Sequence, residues 1–278
     1  MQQIKSIGQF CACALLILLT FTSCNKKEVL PDTLFTSMDS TGIKFQNIVV
    51  DSKQENSFSF RNFYNGGGVA IGDINNDGLA DVILTSNMQD NKLYLNKGNF
   101  KFEDISAASG FKQDSMWSTG VVMVDINNDG WLDIYICNSG HIGDGNRTNK
   151  LYINNHDLTF TESAAKYGLN ISGYCTQASF FDYDMDGDLD CFIINNSPIP
   201  FSSLSYGNMR DTDISKWNVA GNLKGGGNHL FKNDGNHFTE VTKQAGLHTG
   251  LISFGLGVSV GDINNDGYPD IYVGNDFI

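Results

Sequence analysis

Residues 261–275 read GDINNDGYPDIYVGN, an acidic loop that runs directly into an apolar segment. Three further stretches align with it without gaps: GDINNDGLADVILTSN at 72–87, VDINNDGWLDIYICN at 124–138 and FDYDMDGDLDCFIIN at 181–195. A short apolar run precedes each copy, for example GVVMV at 120–124. A repeat of this kind decides the fold class, because each copy is one structural unit.

A second pattern fills the gaps between the acidic loops. It reads NKLYLNKGNFKFEDI at 91–105, NKLYINNHDLTFTES at 149–163 and NHLFKNDGNHFTEV at 228–241. Each copy predicts a strand, a tight turn and a second strand. One unit is therefore strand A, acidic loop, strand B, connection, strand C, turn and strand D. Four antiparallel strands in a repeat of about 50 residues are typical of a β-propeller blade, so we predict an all-β propeller.

The two ends of the sequence differ from the complete units. Residues 33–48, TLFTSMDSTGIKFQNI, resemble strands C and D without an acidic loop, whereas the last residues supply only strands A and B. We therefore expect three whole blades and two halves, about four blades in all. The sequence stops where another strand C is due, so we expect the propeller to be incomplete at its C-terminus.

The acidic loops share the spacing D-x-[DN]-x-D-G-x-x-D. Positions 1, 3 and 5 turn toward one ion, the glycine at position 6 permits a sharp turn, and position 9 adds a carboxylate. Oxygen ligands in a flexible loop favour Ca²⁺ over Mg²⁺ or a transition metal, so we predict up to four Ca²⁺ ions. The predicted side-chain ligands are Asp73, Asn75, Asp77 and Asp81; Asp125, Asn127, Asp129 and Asp133; Asp182, Asp184, Asp186 and Asp190; and Asp262, Asn264, Asp266 and Asp270.

Position 7 of each loop offers a backbone carbonyl as a further ligand. These carbonyls belong to Leu79, Trp131, Asp188 and Tyr268. An EF-hand is the competing interpretation, but it requires flanking helices and a glutamate at position 12, where this chain has Leu84, Ile136, Ile193 and Val273. A simple surface turn also favours Asp, Asn and Gly. Four copies in register, each between apolar strands, favour the metal site, and the four carboxylates of the third loop predict that this site fills first.

The N-terminus has the features of an export signal. Lys5 precedes the apolar run CACALLILLTF at 11–21, which is too short to span a bilayer, and TSC follows it. This arrangement resembles a bacterial lipoprotein signal in which Cys24 becomes the lipidated first residue. We expect a signal peptide at 1–23, a lipid-anchored tether at 24–32 and propeller repeats at 33–278. The expected location is the outer membrane, on its periplasmic or cell-surface side. An ordinary signal peptide with an incidental cysteine is the alternative.

Composition narrows the classes of partner. The formal net charge of −13 argues against nucleic-acid binding, which needs Lys and Arg for phosphate contacts. No apolar run after the signal approaches the ~20 residues of a membrane-spanning helix, so we expect membrane contact only through the lipid anchor. Cys137, Cys175 and Cys191 remain in the mature chain, and we expect buried free thiols.

Residues 254–275, FGLGVSVGDINNDGYPDIYVGN, resemble the FG-GAP/VCBS repeat, the calcium-binding propeller repeat also found in integrin α-subunits. Together with YNGGGVAIGDINNDG at 64–78 and NDFI at 275–278, they are similar to secreted bacterial proteins that carry such repeats ahead of an ASPIC/UnbV domain. The resemblance implies a ring of about seven blades, of which this sequence contains part. It also implies a C-terminal domain that this sequence does not include.

In a propeller blade, the A–B loops and the B–C connections lie on opposite faces. The B–C connection at 197–227 is much longer than the others and carries Tyr206, Arg210 and Trp217, residue types that are common at recognition hot spots. We therefore predict a non-catalytic module that binds a glycan or a protein through this face. The alternative is a calcium-dependent polysaccharide lyase or hydrolase, for which His141, Arg147 and Arg210 are the candidates on that face. No H-E-x-x-H motif or phosphate loop supports an enzyme.

Overall fold

A computed structural model describes residues 35–111, 116–140, 146–197, 216, 226–235, 237–250 and 253–276. The chain divides into two units, residues 1–39 and 40–278. The described part of the first unit, residues 35–39, contains no helix or strand. The predicted signal peptide, Cys24 and the tether lie outside the described residues, as do His141, Tyr206, Arg210 and Trp217.

The second unit contains three four-stranded antiparallel sheets and a two-stranded sheet within its described residues. The first sheet consists of β1 (Val69–Gly72), β2 (Asp81–Leu84), β3 (Lys92–Asn96) and β4 (Phe102–Asp104). The second consists of β5 (Trp117–Val124), β6 (Asp133–Ser139), β7 (Lys150–Asn154) and β8 (Phe160–Glu162). The third consists of β9 (Cys175–Phe181), β10 (Asp190–Asn195), β11 (His229–Asn233) and β12 (Phe238–Glu240), and the last of β13 (Gly255–Gly261) and β14 (Asp270–Asn275).

The strands of each sheet are hydrogen-bonded in chain order, and an acidic loop joins the first strand to the second. The helical elements described in full are a 3-10 helix at Arg61–Tyr64 and a four-residue helix α1 at Ala164–Tyr167. The first strands contact one another in sequence, β1 with β5, β5 with β9 and β9 with β13. These four-stranded sheets are consistent with propeller blades, so the predicted fold class is confirmed.

The core lies between successive sheets rather than within one. Consecutive residues of a strand point to opposite faces, so Ile134 of β6 packs toward the first sheet while Tyr135 packs toward the third. Every residue of β6 is buried. Similarly, Ile193 of β10 faces the second sheet, whereas Ile194 packs with Val273 of the last sheet. A strand that is buried on both faces is apolar throughout, which explains the continuous apolar run after each acidic loop.

The N-terminal segment corrects one expectation. Strands C and D were predicted within residues 33–48, but residues 35–50 form no strand. Residues 40–50 contact the first sheet through isolated bonds: the Thr41 carbonyl accepts the Phe102 N–H at 2.8 Å, and the Lys44 carbonyl accepts the Tyr94 hydroxyl at 2.8 Å. Asn47 bonds through its side chain to Asn87 at 2.7 Å. Side-chain and single backbone bonds of this kind do not form the ladder that defines a strand.

Threonine hydroxyls connect each sheet to the next. Thr85 Oγ1 donates to the Thr119 carbonyl at 2.5 Å, and Thr119 Oγ1 donates to the Cys175 carbonyl at 2.7 Å. Thr176 Oγ1 donates to the Gly255 carbonyl at 2.7 Å. All three bonds lie where the first strands begin, at the ends remote from the acidic loops. This series of bonds is the threonine relay.

The cysteines agree with the expectation from the sequence. Cys137, Cys175 and Cys191 are buried free thiols, as predicted. Burial raises the pKa of the Cys175 thiol to about 12, so this sulfur stays protonated at neutral pH. In the described part of the chain, no helix has the length and apolar character needed to cross a membrane.

Candidate metal centres and the opposite face

The four acidic loops adopt the same turn. Their fourth residues all have a left-handed backbone, with φ of 56° at Asn76, 58° at Asn128, 65° at Met185 and 61° at Asn265. Their sixth residues are glycines with φ of 85° at Gly78, 86° at Gly130, 97° at Gly187 and 87° at Gly267. Only glycine adopts such angles without steric cost, so the glycine at position 6 is required by the turn itself.

The first aspartate of each loop is held by backbone N–H groups of the same loop. Asp73 accepts the N–H of Asp77 at 3.1 Å through Oδ1 and the N–H of Gly78 at 2.7 Å through Oδ2. Equivalent pairs of bonds hold Asp125, Asp182 and Asp262. The fifth residue is fixed in the same way, since Asp77 accepts the N–H of Leu79 at 2.8 Å. The loop backbone therefore fixes these carboxylates close together.

The ninth aspartate has a further structural role. Asp133 is fully buried, and its Oδ2 accepts the N–H of Ile126 at 3.1 Å while its Oδ1 accepts the N–H of Asn154 at 2.8 Å. The same pair of bonds joins the loop to the third strand through Asp81 and through Asp190. The acidic spacing alone did not indicate this role, although an asparagine ends each third strand of the repeat.

Burial perturbs the pKa values of these ninth aspartates. It raises the pKa of Asp133 and of Asp190 to about 6, from an ordinary value of 3.8. Backbone hydrogen bonds oppose that shift, and neighbouring aspartates of the loop reinforce it. The pKa of Asp81 is raised for the same reasons. The ionised form of each is thus disfavoured unless a cation lies nearby.

The third loop differs from the others by a lysine. Lys232 Nζ donates hydrogen bonds to Asp184 and, at 2.9 Å, to Asp186. These bonds raise the pKa of Lys232 and lower that of Asp186. The equivalent positions of the first two sheets hold Leu95 and Ile153. The sequence therefore contained a signal for this contact, because the lysine appears in the one sheet whose loop has Asp184 instead of asparagine.

The donor atoms fit a calcium ion. Asp182, Asp184 and Asp190 present carboxylate oxygens within 4.8 Å of one another, the only such group among the described residues. Asp184 Oδ1 is buried and has no hydrogen-bond partner there. In the other three loops, which the structure describes in full, the aspartate oxygens do not form such a group, although all the predicted side-chain ligands there are carboxylate or amide oxygens. A hard divalent cation prefers such a set.

The second loop also contacts a histidine. His156, in the turn between β7 and β8, lies 3.1 Å from Asp129 through its Nε2. Its ring stacks on Trp131 with centroids 4.6 Å apart. The hydrogen bond from His156 lowers the pKa of Asp129, although the backbone N–H of Trp131 has a larger lowering effect and burial opposes both. Sequence analysis did not place this histidine beside the loop.

A cavity of about 370 Å³ lies at the opposite ends of the first strands. The segment before β1 contributes Phe60, Asn62 and Asn65. The remaining walls come from the starts of β5, β9 and β13 and from the end of β6. Asn62 Nδ2 and Ser139 Oγ are buried and have no hydrogen-bond partner in the described residues. No sequence pattern pointed to these two side chains.

The structure assigns a packing role to the one described residue of the predicted enzymatic set. The Arg147 guanidinium lies 4.5 Å from the centre of the Tyr174 ring and donates to its hydroxyl at 3.2 Å. Residues 257–261, GVSVG, match the G-x-S-x-G pattern of hydrolases. That pattern needs a strand-to-helix turn, whereas Ser259 lies within β13, paired with Tyr272 of β14. It is therefore no nucleophile elbow.

Comparisons with known proteins agree with this architecture. The profile of the FG-GAP-like repeat matches residues 73–136, 139–193 and 218–273. Cartilage acidic protein 1 of Xenopus tropicalis is 30% identical over 138 residues, which cover 48% of this chain and 20% of that protein. The human protein of the same name is 27% identical over 135 residues, with the same coverage. The matched region thus spans a fifth of the length of these relatives.

Proposed function

Because this chain belongs to the FG-GAP-like repeat family, we propose that residues 33–278 form a calcium-stabilised β-propeller module that binds a glycan or a protein. The proposal rests on the difference between the two ends of the first strands. One end carries the same acidic turn four times. The other end carries a cavity and connections of unequal length.

The repetition of the acidic turn supports a structural task for calcium. Each loop places three to five carboxylates between apolar strands, where their mutual repulsion destabilises the fold unless a cation compensates it. The residues that would hold calcium are the sixteen side chains and four carbonyls named above, up to one ion per loop. A bound ion would supply positive charge that clamps the turn between the first and second strands. Such a ligand, which binds only the folded state, raises stability.

The opposite end supports the recognition task. The connection between the second and third strands spans 85–91 in the first sheet, 140–149 in the second and 196–228 in the third. A long connection on a rigid scaffold is a common place for binding residues. We therefore assign ligand contacts to Tyr206, Arg210 and Trp217, residue types that are frequent at binding hot spots.

The N-terminal pattern supports export. We propose that Cys24 is the lipidated first residue of the mature chain and that residues 24–32 tether the module to an outer membrane. The protein would contact the membrane through that anchor alone and would bind no nucleic acid. Protease digestion of intact cells would show whether the module faces the periplasm or the cell surface.

The calcium proposal is tested by a thermal melt with and without chelator, together with equilibrium dialysis against calcium. We expect chelation to lower the Tm by several degrees, as for a ligand at about 100 times its Kd, which contributes about 2.7 kcal/mol. An unchanged melt with no calcium retained would contradict the proposal.

The binding proposal is tested on a glycan array and by protein pull-down from the cell envelope. The test variant has a Gly-Ser linker in place of residues 198–225. We expect this variant to keep its Tm and lose ligand. Full binding by the variant would show that the long connection is not the recognition element.

A further inference from the structure

We propose that the cavity opposite the acidic loops is a binding site for a neutral, hydroxyl-rich ring, such as one hexose unit of a glycan. This inference rests on the proposed binding function and names its ligand class. It depends on three observations: the size of the cavity, the unpaired polar groups in its wall, and the lack of charge among its described lining residues.

The cavity has the dimensions of a small-ligand site. Its volume of about 370 Å³ lies at the lower end of the range of ~300–1,000 Å³ that is typical of ligand pockets. The rings of Phe60 and Trp117 form part of the wall, and their centroids lie 5.6 Å apart in an edge-to-face arrangement. Both rings are buried, which gives the cavity a rigid apolar side.

Two buried polar atoms in the wall have no hydrogen-bond partner in the part of the chain that the structure describes. Asn62 is 6% exposed and Ser139 is 1% exposed, yet Asn62 Nδ2 and Ser139 Oγ make no hydrogen bond within the described residues. Buried polar groups are rarely left unpaired, so each such group calls for a ligand or a water. Other hydroxyls of the wall are already used, since Thr119 and Thr176 donate to carbonyls in the threonine relay.

The charge of the wall selects the ligand class. The described lining residues are apolar, hydroxyl, amide or glycine residues, and none of them carries a charge. A charged ligand would lose its hydration without gaining a counter-charge, whereas a neutral polyol exchanges hydrogen bonds with amides and hydroxyls. Asn65 and Gln177 add two further amides to the wall. The site therefore favours neutral sugars over uronic acids and amino sugars.

The first experiment uses thermal stability, without any ligand, to test whether the Ser139 hydroxyl is unpaired in the folded protein. Ser139→Ala removes a hydroxyl that has no hydrogen-bond partner among the described residues, so the Tm is expected to stay unchanged or to rise. The matched control is Ser109→Ala, because Ser109 is equally buried but donates to the Ser106 carbonyl at 3.0 Å. That control is expected to lower the Tm. A fall in Tm for Ser139→Ala as large as that of the control would show that the hydroxyl has a structural bond, and would overturn the proposal.

The second experiment measures binding by ligand-observed NMR titration of the mature, calcium-loaded protein. The probes are D-glucose, D-galactose and L-fucose, with D-glucuronate and D-glucosamine as charged counterparts. We expect at least one neutral sugar to bind with a Kd on the order of 1 mM and the charged sugars to bind at least tenfold more weakly. Ser139→Ala is expected to weaken binding about tenfold, the effect of one buried hydrogen bond.

A variant that narrows the cavity tests the proposal independently. Leu256 lines the cavity and is 42% exposed, so Leu256→Trp narrows the cavity without disturbing the core and is expected to abolish sugar binding. Tyr272→Trp, at an exposed position of the same sheet that does not line the cavity, is the control and should bind normally.

The outcomes separate the two proposals. If the glycan array shows a ligand that both Ser139→Ala and Leu256→Trp bind normally, the cavity proposal is overturned and the binding module stands. If no neutral sugar binds, or if charged sugars bind equally well, the cavity proposal is also overturned. Absence of any glycan or protein ligand in the array and pull-down contradicts the module itself.

Discussion

At the scale of single residues, the ninth aspartate of each of the first three loops is subject to two opposing effects. Its two oxygens accept backbone N–H groups from the loop and from the third strand, which favours the ionised form. Full burial disfavours that form and dominates, so the pKa of Asp133 and of Asp190 rises to about 6. The residue that organises the loop is therefore also the one whose charge most needs compensation.

This conflict predicts an unusual pH dependence in the presence of chelator. The pKa of Asp133 is about 6 in the folded chain and near its ordinary 3.8 when unfolded, so the folded state binds more protons between those values. The stabilising contribution of the protonated group is fully present below pH 3.8 and is lost as the pH rises through 6. We expect the stability of wild type relative to Asp133→Asn to fall from pH 4 to pH 7. Denaturant titrations of both proteins at several pH values measure this difference, and parallel curves would contradict it.

The fourth residue of the third loop is strained. Met185 has φ of 65° where the other loops have asparagine, which tolerates the left-handed conformation. Its side chain is 58% exposed, so Met185→Asn sacrifices no core packing. We expect this change to stabilise the protein by about 1 kcal/mol, a rise in Tm of about 2–4 °C. The reverse change Asn128→Met at the exposed equivalent position of the second loop should lower the Tm by a similar amount. Two shifts of the same sign would argue against backbone strain as the cause.

At the scale of the loop and strand, Lys232 changes the charge of the third site. The four predicted ligand carboxylates of this loop carry −4, and the lysine brings this ligand set to −3, the charge of the three ligand carboxylates in each other loop. The loop also contains a fifth carboxylate, that of Asp188. The expectation that the third site fills first rested on its extra carboxylate and did not include this lysine. In wild type we now expect its calcium affinity to be similar to that of the other loops.

Lys232→Leu tests this compensation, since leucine stands at the equivalent position of the first sheet. Removal of the positive charge should raise the calcium affinity of the third loop about tenfold, because a cation a few ångströms away interacts at an energy of about 1–4 kcal/mol. In chelator the same variant should have a lower Tm than wild type, since four carboxylates are then uncompensated. Lys97→Leu, which breaks an exposed pair with Glu103 at 3.9 Å, is the control. Calorimetric calcium titration checks the affinity, and equal isotherms for Lys232→Leu and wild type would refute the compensation.

Sequence periodicity predicted these elements well, and the exceptions have physical causes. The strands beside each loop followed from apolar runs that a doubly buried strand requires. Residues 33–48 have a similar apolar pattern, yet their bonds to the first sheet are isolated, so pattern alone misassigned them. Asn62 and Ser139 were not predictable, since an unpaired polar group is defined by its surroundings in space. Lys232 was detectable only by aligning the third strands and noticing that the lysine accompanies Asp184.

At the scale of the whole second unit, the sheets are joined by apolar packing and by the threonine relay. Each relay hydroxyl reaches a backbone carbonyl of the next sheet, at the ends of the first strands remote from the acidic loops. The close approach depends on small residues: a Cβ at Gly120 would lie 2.4 Å from the Thr176 carbonyl oxygen. The relay thereby joins the sheets at one end of the first strands. At the other end, Asn76 Nδ2 of the first loop donates to the Gly130 carbonyl of the second loop at 3.0 Å.

Thr119→Val tests the contribution of the relay. Valine keeps the shape of threonine but removes the donor, which leaves the buried Cys175 carbonyl without this bond. We expect a loss of about 1–3 kcal/mol in the free energy of unfolding, measured by denaturant titration. Thr119→Ser, which retains the hydroxyl, should recover much of it. The exposed Thr239→Val should change stability by less than about 0.5 kcal/mol. A Thr119→Val cost no larger than that of Thr239→Val would show that packing alone joins the sheets.

The acceptors of the relay have a consequence for how such a chain grows. A backbone carbonyl is present whatever side chain the neighbouring sheet carries at that position, so a sheet with the threonine can be joined to almost any successor. Each sheet also brings its own acidic turn and its own aspartate clamp. A tandem duplication of one unit would therefore carry the contacts to its neighbour with it.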